Sequence, residues 1–179
     1  RPKTIRQCSY AQRMPREVQH GKQIVYWLQS CPRMHSNQAL DLGCWLRCGT
    51  LQCHGRYTSD SLAMLDSYSS QLSIPLVVLV AIPGDLQIPD LESATFTTST
   101  DRAQSLFMLA LVELRERLAE LAIPLVSFVT VDVVELVTTW CAESQAHLLL
   151  TDDCLTIRNA AWTKAVAQRV SCGFYSIDR

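Results

Sequence analysis

The sequence predicts an α/β domain: a doubly wound, five-stranded, mostly parallel Rossmann-like sheet with helices on both faces. Two observations carry this. Unbroken apolar runs at Ile24 to Leu28 and Leu76 to Ile82 suit strands buried on both faces of a parallel sheet. Between such runs, apolar residues recur at three- and four-residue steps, the period of a helix with one covered face. Strands alternating with helices of this length require right-handed crossovers.

Taking the elements in order, residues 1–22 form a basic arm. Arg1, Lys3, Arg6, Arg13, Arg16 and Lys22 face the single acid Glu17, a pattern expected of a solvated, poorly ordered segment. The chain starts with Arg rather than Met, which leaves the natural N-terminus open. The first buried strand follows at Ile24 to Leu28. Ser30, Cys31 and Pro32 supply a turn, and Ser36 is placed to cap a helix beginning near Asn37. Ala39, Leu40, Leu42 and Trp45 cover the sheet from that helix.

An aperiodic stretch around 44–61, rich in Gly, Thr, Ser and Cys, reads as an insertion. Helical spacing returns at Leu62, Leu65, Tyr68, Ser69 and Leu72 and stops before Pro75. After the strand at Leu76 to Ile82 comes a long irregular connection, residues 83–98. Ser99, Thr100 or Asp101 then opens the clearest helix, with Ala103, Leu106, Phe107, Ala110, Leu114, Leu118 and Leu121 as its inward stripe. The charges on its outer face, Glu113, Arg115, Glu116, Arg117 and Glu120, read as a solvated surface. Strands at Pro124 to Val129, His147 to Leu150 and Gly173 to Ile177 alternate with helices opened by Thr130 and spanning Arg158 to Val170.

Composition sets the outer limits of function. At 179 residues, 48% apolar and 18% charged, with a formal net charge of −1, the chain has one ordinary domain's worth of core, and beyond the basic arm its body is close to neutral, without the clustered cations that attract nucleic acid. Eight cysteines in a chain with so large an apolar core read as reduced thiols, and an intracellular location is expected. Their tightest cluster, Cys44, Cys48, Cys53 and His54, only partly fits the paired spacing of structural zinc sites, and no metal is expected there. No apolar run is long enough to cross a membrane. No G-x-G-x-x-G, G-x-x-x-x-G-K-S/T or G-x-S-x-G occurs, which argues against ordinary dinucleotide, P-loop and hydrolase chemistry.

Ligands of open α/β sheets sit outside the carboxyl ends of the strands. The candidate binding residues are therefore Trp27, Gln29, Arg33 and Asn37 from the first strand and turn, with Asp152 and Arg158 from the T-D-D-C segment and the helix after it. Arg33 is singled out because a planar guanidinium at a helix entrance holds a carboxylate, phosphate or carbonyl in fixed geometry. Tying the turn to the sheet is its structural alternative. Asp152 reads equally as a ligand contact or a turn former. His147, at the start of an apolar run, reads as a core residue.

The segment Tyr26 to Leu40, Y-W-L-Q-S-C-P-R-M-H-S-N-Q-A-L, resembles the opening motif of the class II DNA photolyases, a strand ending in Y-W-M followed by R-D-Q-R-x-x-D-N-W-A-L. Trp27, Arg33, Asn37, Ala39 and Leu40 match. Further segments resemble the family in order: the helix from Asp101 and its I-P-L continuation, H-L-L-L-T-D-D-C-L-T-I-R-N-A-A-W, and F-Y-S-I-D. Ser30, Cys31 and Gln38 depart from it, as does Asp153 to Thr156. The resemblance implies the N-terminal domain of a photolyase that repairs pyrimidine dimers with light. It also implies an antenna chromophore of 8-hydroxy-deazaflavin or folate type, and a helical domain that carries FAD and contacts damaged DNA, lying beyond this chain. This chain would then be a fragment, inactive by itself. Two other classes fit the same architecture: an adenine-nucleotide-binding domain of the electron-transfer-flavoprotein or universal-stress type, and a non-catalytic interaction domain.

Overall fold

A computed structural model describes residues 5–7, 21–29, 32–34, 37–48, 74–84, 101–153 and 156–177. The strands are β1 (Ile5–Gln7), β2 (Gln23–Trp27), β3 (Leu76–Pro83), β4 (Leu125–Thr130), β5 (Ala146–Asp152) and β6 (Gly173–Ile177). The described helices are α1 (Gln38–Cys48), α2 (Asp101–Glu120), α3 (Val133–Glu143) and α4 (Ile157–Arg169). Together the strands form one sheet in the order β1-β6-β5-β2-β3-β4. Strands β2 to β6 all run parallel. This is the expected doubly wound architecture. The short strand β1 pairs antiparallel with β6, Ile5 opposite Ile177, and adds a sixth strand from within the arm expected to lack order.

The chain winds outward from β2 through β3 to β4, then returns to lay β5 against the other side of β2. Strand order therefore reverses between β2 and β5, and the crevice of such a sheet opens at that point. Successive side chains of β2 alternate between two cores. Ile24, Tyr26 and Leu28 pack with Leu40 and Leu46 of α1 and with Leu111, Leu114 and Leu118 of α2. Val25 and Trp27 pack on the other face with Val133, Val137 and Cys141 of α3 and Val166 of α4. A strand covered on both faces has little place for polar side chains in its middle, and in Ile24–Leu28 the one hydroxyl, that of Tyr26, is paired with Asp152 and Asn37.

Several boundaries differ from the sequence reading for local reasons. Helix α1 continues through Cys44 to Cys48, so the aperiodic segment begins later than residue 44. At Gly43 the helix packs closely on β3: a Cβ at that position would stand 2.9 Å from Leu76 Cδ1. On α2 the inward stripe is Phe107, Leu111, Leu114 and Leu118, while Leu106 and Leu121 are exposed. The run from Leu106 to Val112 is apolar at every position, so its period alone could not select the covered face. Helix α3 is capped by Asp132, whose Oδ1 accepts from Glu135 N at 2.9 Å. Thr130, expected as the opener, instead exchanges hydrogen bonds with the Asp132 backbone. Helices α2 and α3 are followed by residues of positive φ, Ala122 at 53° and Gln145 at 51°. After α2, Ile123 N closes onto Leu118 O at 2.9 Å, which satisfies a terminal carbonyl.

The readings placed on Ser36, on 62–72, on the connection beyond Gly84 and on the cap at Ser99 or Thr100 lie outside the described residues, as do Cys53 and His54. Cys44 packs against the α1 side of the core. Among the described residues no three His, Cys, Asp or Glu side chains converge as metal ligands. Also among them, no helix is long and apolar enough to cross a membrane.

Candidate functional site

The carboxyl ends of β2 and β5 carry two polar groups, one on each face of the sheet. The pairing places Tyr26 beside Leu150 and Trp27 beside Thr151, so the last residues of the two strands stand next to one another. Thr151 and Asp152, adjacent in sequence, point to opposite faces by the two-residue period of a strand.

On the α1 face, the Tyr26 hydroxyl donates to Asp152, standing 3.1 Å from both carboxylate oxygens. The same hydroxyl accepts from Asn37 Nδ2 at 3.0 Å. Asn37 also donates to Arg33 O at 3.1 Å, and its Oδ1 accepts from Leu40 N at 3.0 Å. That last bond is an N-cap, so Asn37 caps α1 and fixes the helix start to the sheet. Tyr26, Asn37 and Asp152 are all buried. A buried polar group needs partners, and here three side chains supply them to one another. The arrangement positions α1 over β2 and β5.

On the α4 face, Gln29 Nε2 reaches Thr151 Oγ1 at 2.8 Å and Thr163 Oγ1 at 2.9 Å. Thr151 spends its only hydrogen on Trp27 O at 2.9 Å. Its oxygen can therefore only accept from Gln29, which fixes the amide with its NH2 toward the threonines. Gln29 Oε1 is then left buried with no hydrogen-bond partner among the described residues. Ser176, beside Thr151 on β6, has a buried Oγ in the same condition. One acceptor and one hydroxyl without partners thus flank Thr151 across the ends of three adjacent strands. Because leaving such groups unsatisfied costs about 1–3 kcal/mol each, both call for a polar partner at these strand ends.

The sequence candidates separate accordingly. Gln29 belongs to the α4-face group. Asn37 and Asp152 join through Tyr26 and act on the fold. Trp27 is 1% exposed and sealed beneath α3 and α4, so it lies under the crevice rather than in it. Arg33 is exposed and enters the network only through its carbonyl. Arg158 is exposed in the first turn of α4, its guanidinium carbon 4.9 Å from the Trp162 ring centroid. Helix α4 is capped there by Thr156, which accepts from Asn159 N at 3.3 Å. Sequence reasoning missed Tyr26, Thr151, Thr163 and Ser176. Strand alternation gives the signal for Thr151, but nothing local points to Thr163, whose partner Gln29 is 134 residues away.

No family model matches the chain. No curated protein matches it either. Among solved structures it is similar to the universal stress protein from Archaeoglobus fulgidus in complex with dAMP, at 13% identity and a TM-score of 0.43, covering 86% of this chain and 95% of that one. A universal stress protein in complex with cAMP is similar at 16% identity and a TM-score of 0.42, over 88% of this chain and 98% of that chain. A hypothetical protein solved as a test case of structural genomics gives 8% identity and a TM-score of 0.48, over 88% and 96%. Two of the three are universal stress proteins, and none is a photolyase. The photolyase and DNA-repair vocabulary that the motif resemblance implied finds no support among these structures.

Proposed function

We propose that the domain binds an adenine nucleotide at the reversal point between β2 and β5, with the base held by the α4-face group. The observation that carries this reading is the Gln29 amide, fixed through Nε2 on Thr151 and Thr163 and keeping a buried, unpartnered Oε1, with the unpartnered Ser176 hydroxyl across Thr151 on the neighbouring strand. Adenine offers both kinds of partner, an exocyclic amine that donates and ring nitrogens that accept. A few convergent polar groups at a topological switch point are what small-molecule sites in these sheets use. With no glycine-rich phosphate loop in the sequence, the phosphate falls to the N-terminus of α4 and to Arg158 in its first turn. Binding is the whole of the proposed activity.

Isothermal titration of the chain with AMP, ATP and GTP tests the proposal. Adenine nucleotides bind more tightly than about 1 mM, equivalent to roughly −4 kcal/mol, and GTP binds at least about tenfold more weakly. Gln29→Leu removes the binding while leaving the melting temperature within a few degrees. A heat-silent titration, backed by equilibrium dialysis with no retained nucleotide, overturns the reading and leaves a buried water as the occupant of the polar group.

A further inference from the structure

Cys141 and Cys172 come together at the amino-terminal edge of the sheet, away from the crevice. Cys141 lies near the C-terminal end of α3 and is buried in the core shared with Val137, Leu149 and Phe174. Cys172 immediately precedes β6, is partly exposed, and packs against the same cluster. Neither is in a disulfide. We propose that the two thiols form a peroxide-reactive pair, Cys172 the attacking sulfur and Cys141 the resolving one.

The environment separates the roles. The Cys141 S–H is hydrogen-bonded to Cys172 and, with burial added, its proton is held well above the ordinary thiol range. That same hydrogen bond lowers Cys172, against burial and with help from its own backbone and that of Leu149. A thiolate is the nucleophilic form, so the partly exposed Cys172 is the one that reacts. Its sulfur attacks one oxygen of hydrogen peroxide and breaks the O–O bond. Hydroxide leaves, takes a proton from solvent and becomes water, and Cys172 is left as a sulfenic acid. Cys141 sulfur then attacks Cys172 sulfur. The S–OH bond breaks, the hydroxide takes the Cys141 proton, and a second water departs. Two thiols and one peroxide have become one disulfide and two waters, tying α3 to the start of β6.

The test uses the full reduced chain, treated with one equivalent of hydrogen peroxide, alkylated with N-ethylmaleimide and digested with trypsin and a glutamate-specific protease. Digestion separates 136–143, which holds Cys141, from 170–179, which holds Cys172. The expected product is the 136–143/170–179 disulfide as the predominant cross-link. Both peptides recovered alkylated, or Cys172 joined mainly to another cysteine, overturns the proposal. A second measurement follows alkylation of Cys172 at neutral pH. Cys141→Ala removes the donor and slows labelling severalfold, whereas Cys141→Ser keeps a donor and retains most of the rate. Equal rates in all three chains overturn the assigned roles.

Discussion

Replacing Tyr26 by Phe removes one oxygen from a fully buried side chain and leaves its ring in place. The hydroxyl donates to Asp152 and accepts from Asn37, and Asn37 caps α1, so three elements lose a shared point of attachment. A hydrogen bond to an ionised group contributes about 1.5–3 kcal/mol and one between neutral groups about 1 kcal/mol. Asp152 and Asn37 are buried, so water does not readily replace the lost partner. The expected loss is about 3 kcal/mol, which lowers the melting temperature of a domain this size by roughly 6–12 °C. Urea denaturation followed by circular dichroism reads it as a lowered midpoint with an unchanged slope, since the same surface is exposed on unfolding. A loss below about 0.5 kcal/mol, the size of an ordinary surface change, would refute the idea that this network holds α1 to the sheet.

Other substitutions have distinct signatures. Asn37→Ala loses both the cap and the bond to Tyr26 and costs about 2 kcal/mol, whereas Asn37→Asp keeps the cap to Leu40 but sets a second carboxylate near Asp152; denaturant midpoints should place both below the parent chain. Leu118→Ala empties a fully buried site between α2 and the sheet and lowers stability by about 2–5 kcal/mol in the same assay. Gly21→Ala would put a Cβ 2.4 Å from the His147 backbone, so the chain entering β2 must move away from β5, and a loss of roughly 2 kcal/mol is expected by thermal melting. Ala122→Gly acts oppositely: relieving the positive φ returns about 1–2 kcal/mol, of which roughly half is offset by the freer unfolded chain, so the melting temperature rises by a few degrees.

The sheet was legible because its strands are apolar on both faces and short. Leu76 to Ile82 and Gly173 to Ile177 are bounded by residues that end a strand, and the observed limits differ by a residue at most. Amphipathic helices were legible only where polar positions interrupt the pattern. In α3 they do, and its buried residues Val133, Val137 and Cys141 share one face. In the first half of α2 they do not, and Leu111 was passed over. The candidate site was hidden for another reason. Tyr26 and Asp152 are 126 residues apart, and only the strand order that sets β5 beside β2 makes them neighbours. Arginines drew notice in the sequence because charge suggests a ligand, yet Arg33 and Arg158 are exposed, while at the carboxyl ends of the strands unpartnered atoms belong to Gln29 and Ser176, residues with no charge to advertise.

The central claim is that the polar group on the α4 face receives an adenine base. Titration of the 15N-labelled chain with AMP, followed through side-chain amide and backbone resonances, addresses it directly. The account predicts saturable shifts of the Gln29 side-chain amide and of the Thr151, Thr163 and Ser176 backbone signals, with the Cys172 region unmoved. Shifts confined to other residues, or none up to about 10 mM AMP, weaker than any specific site of this size would give, would contradict it.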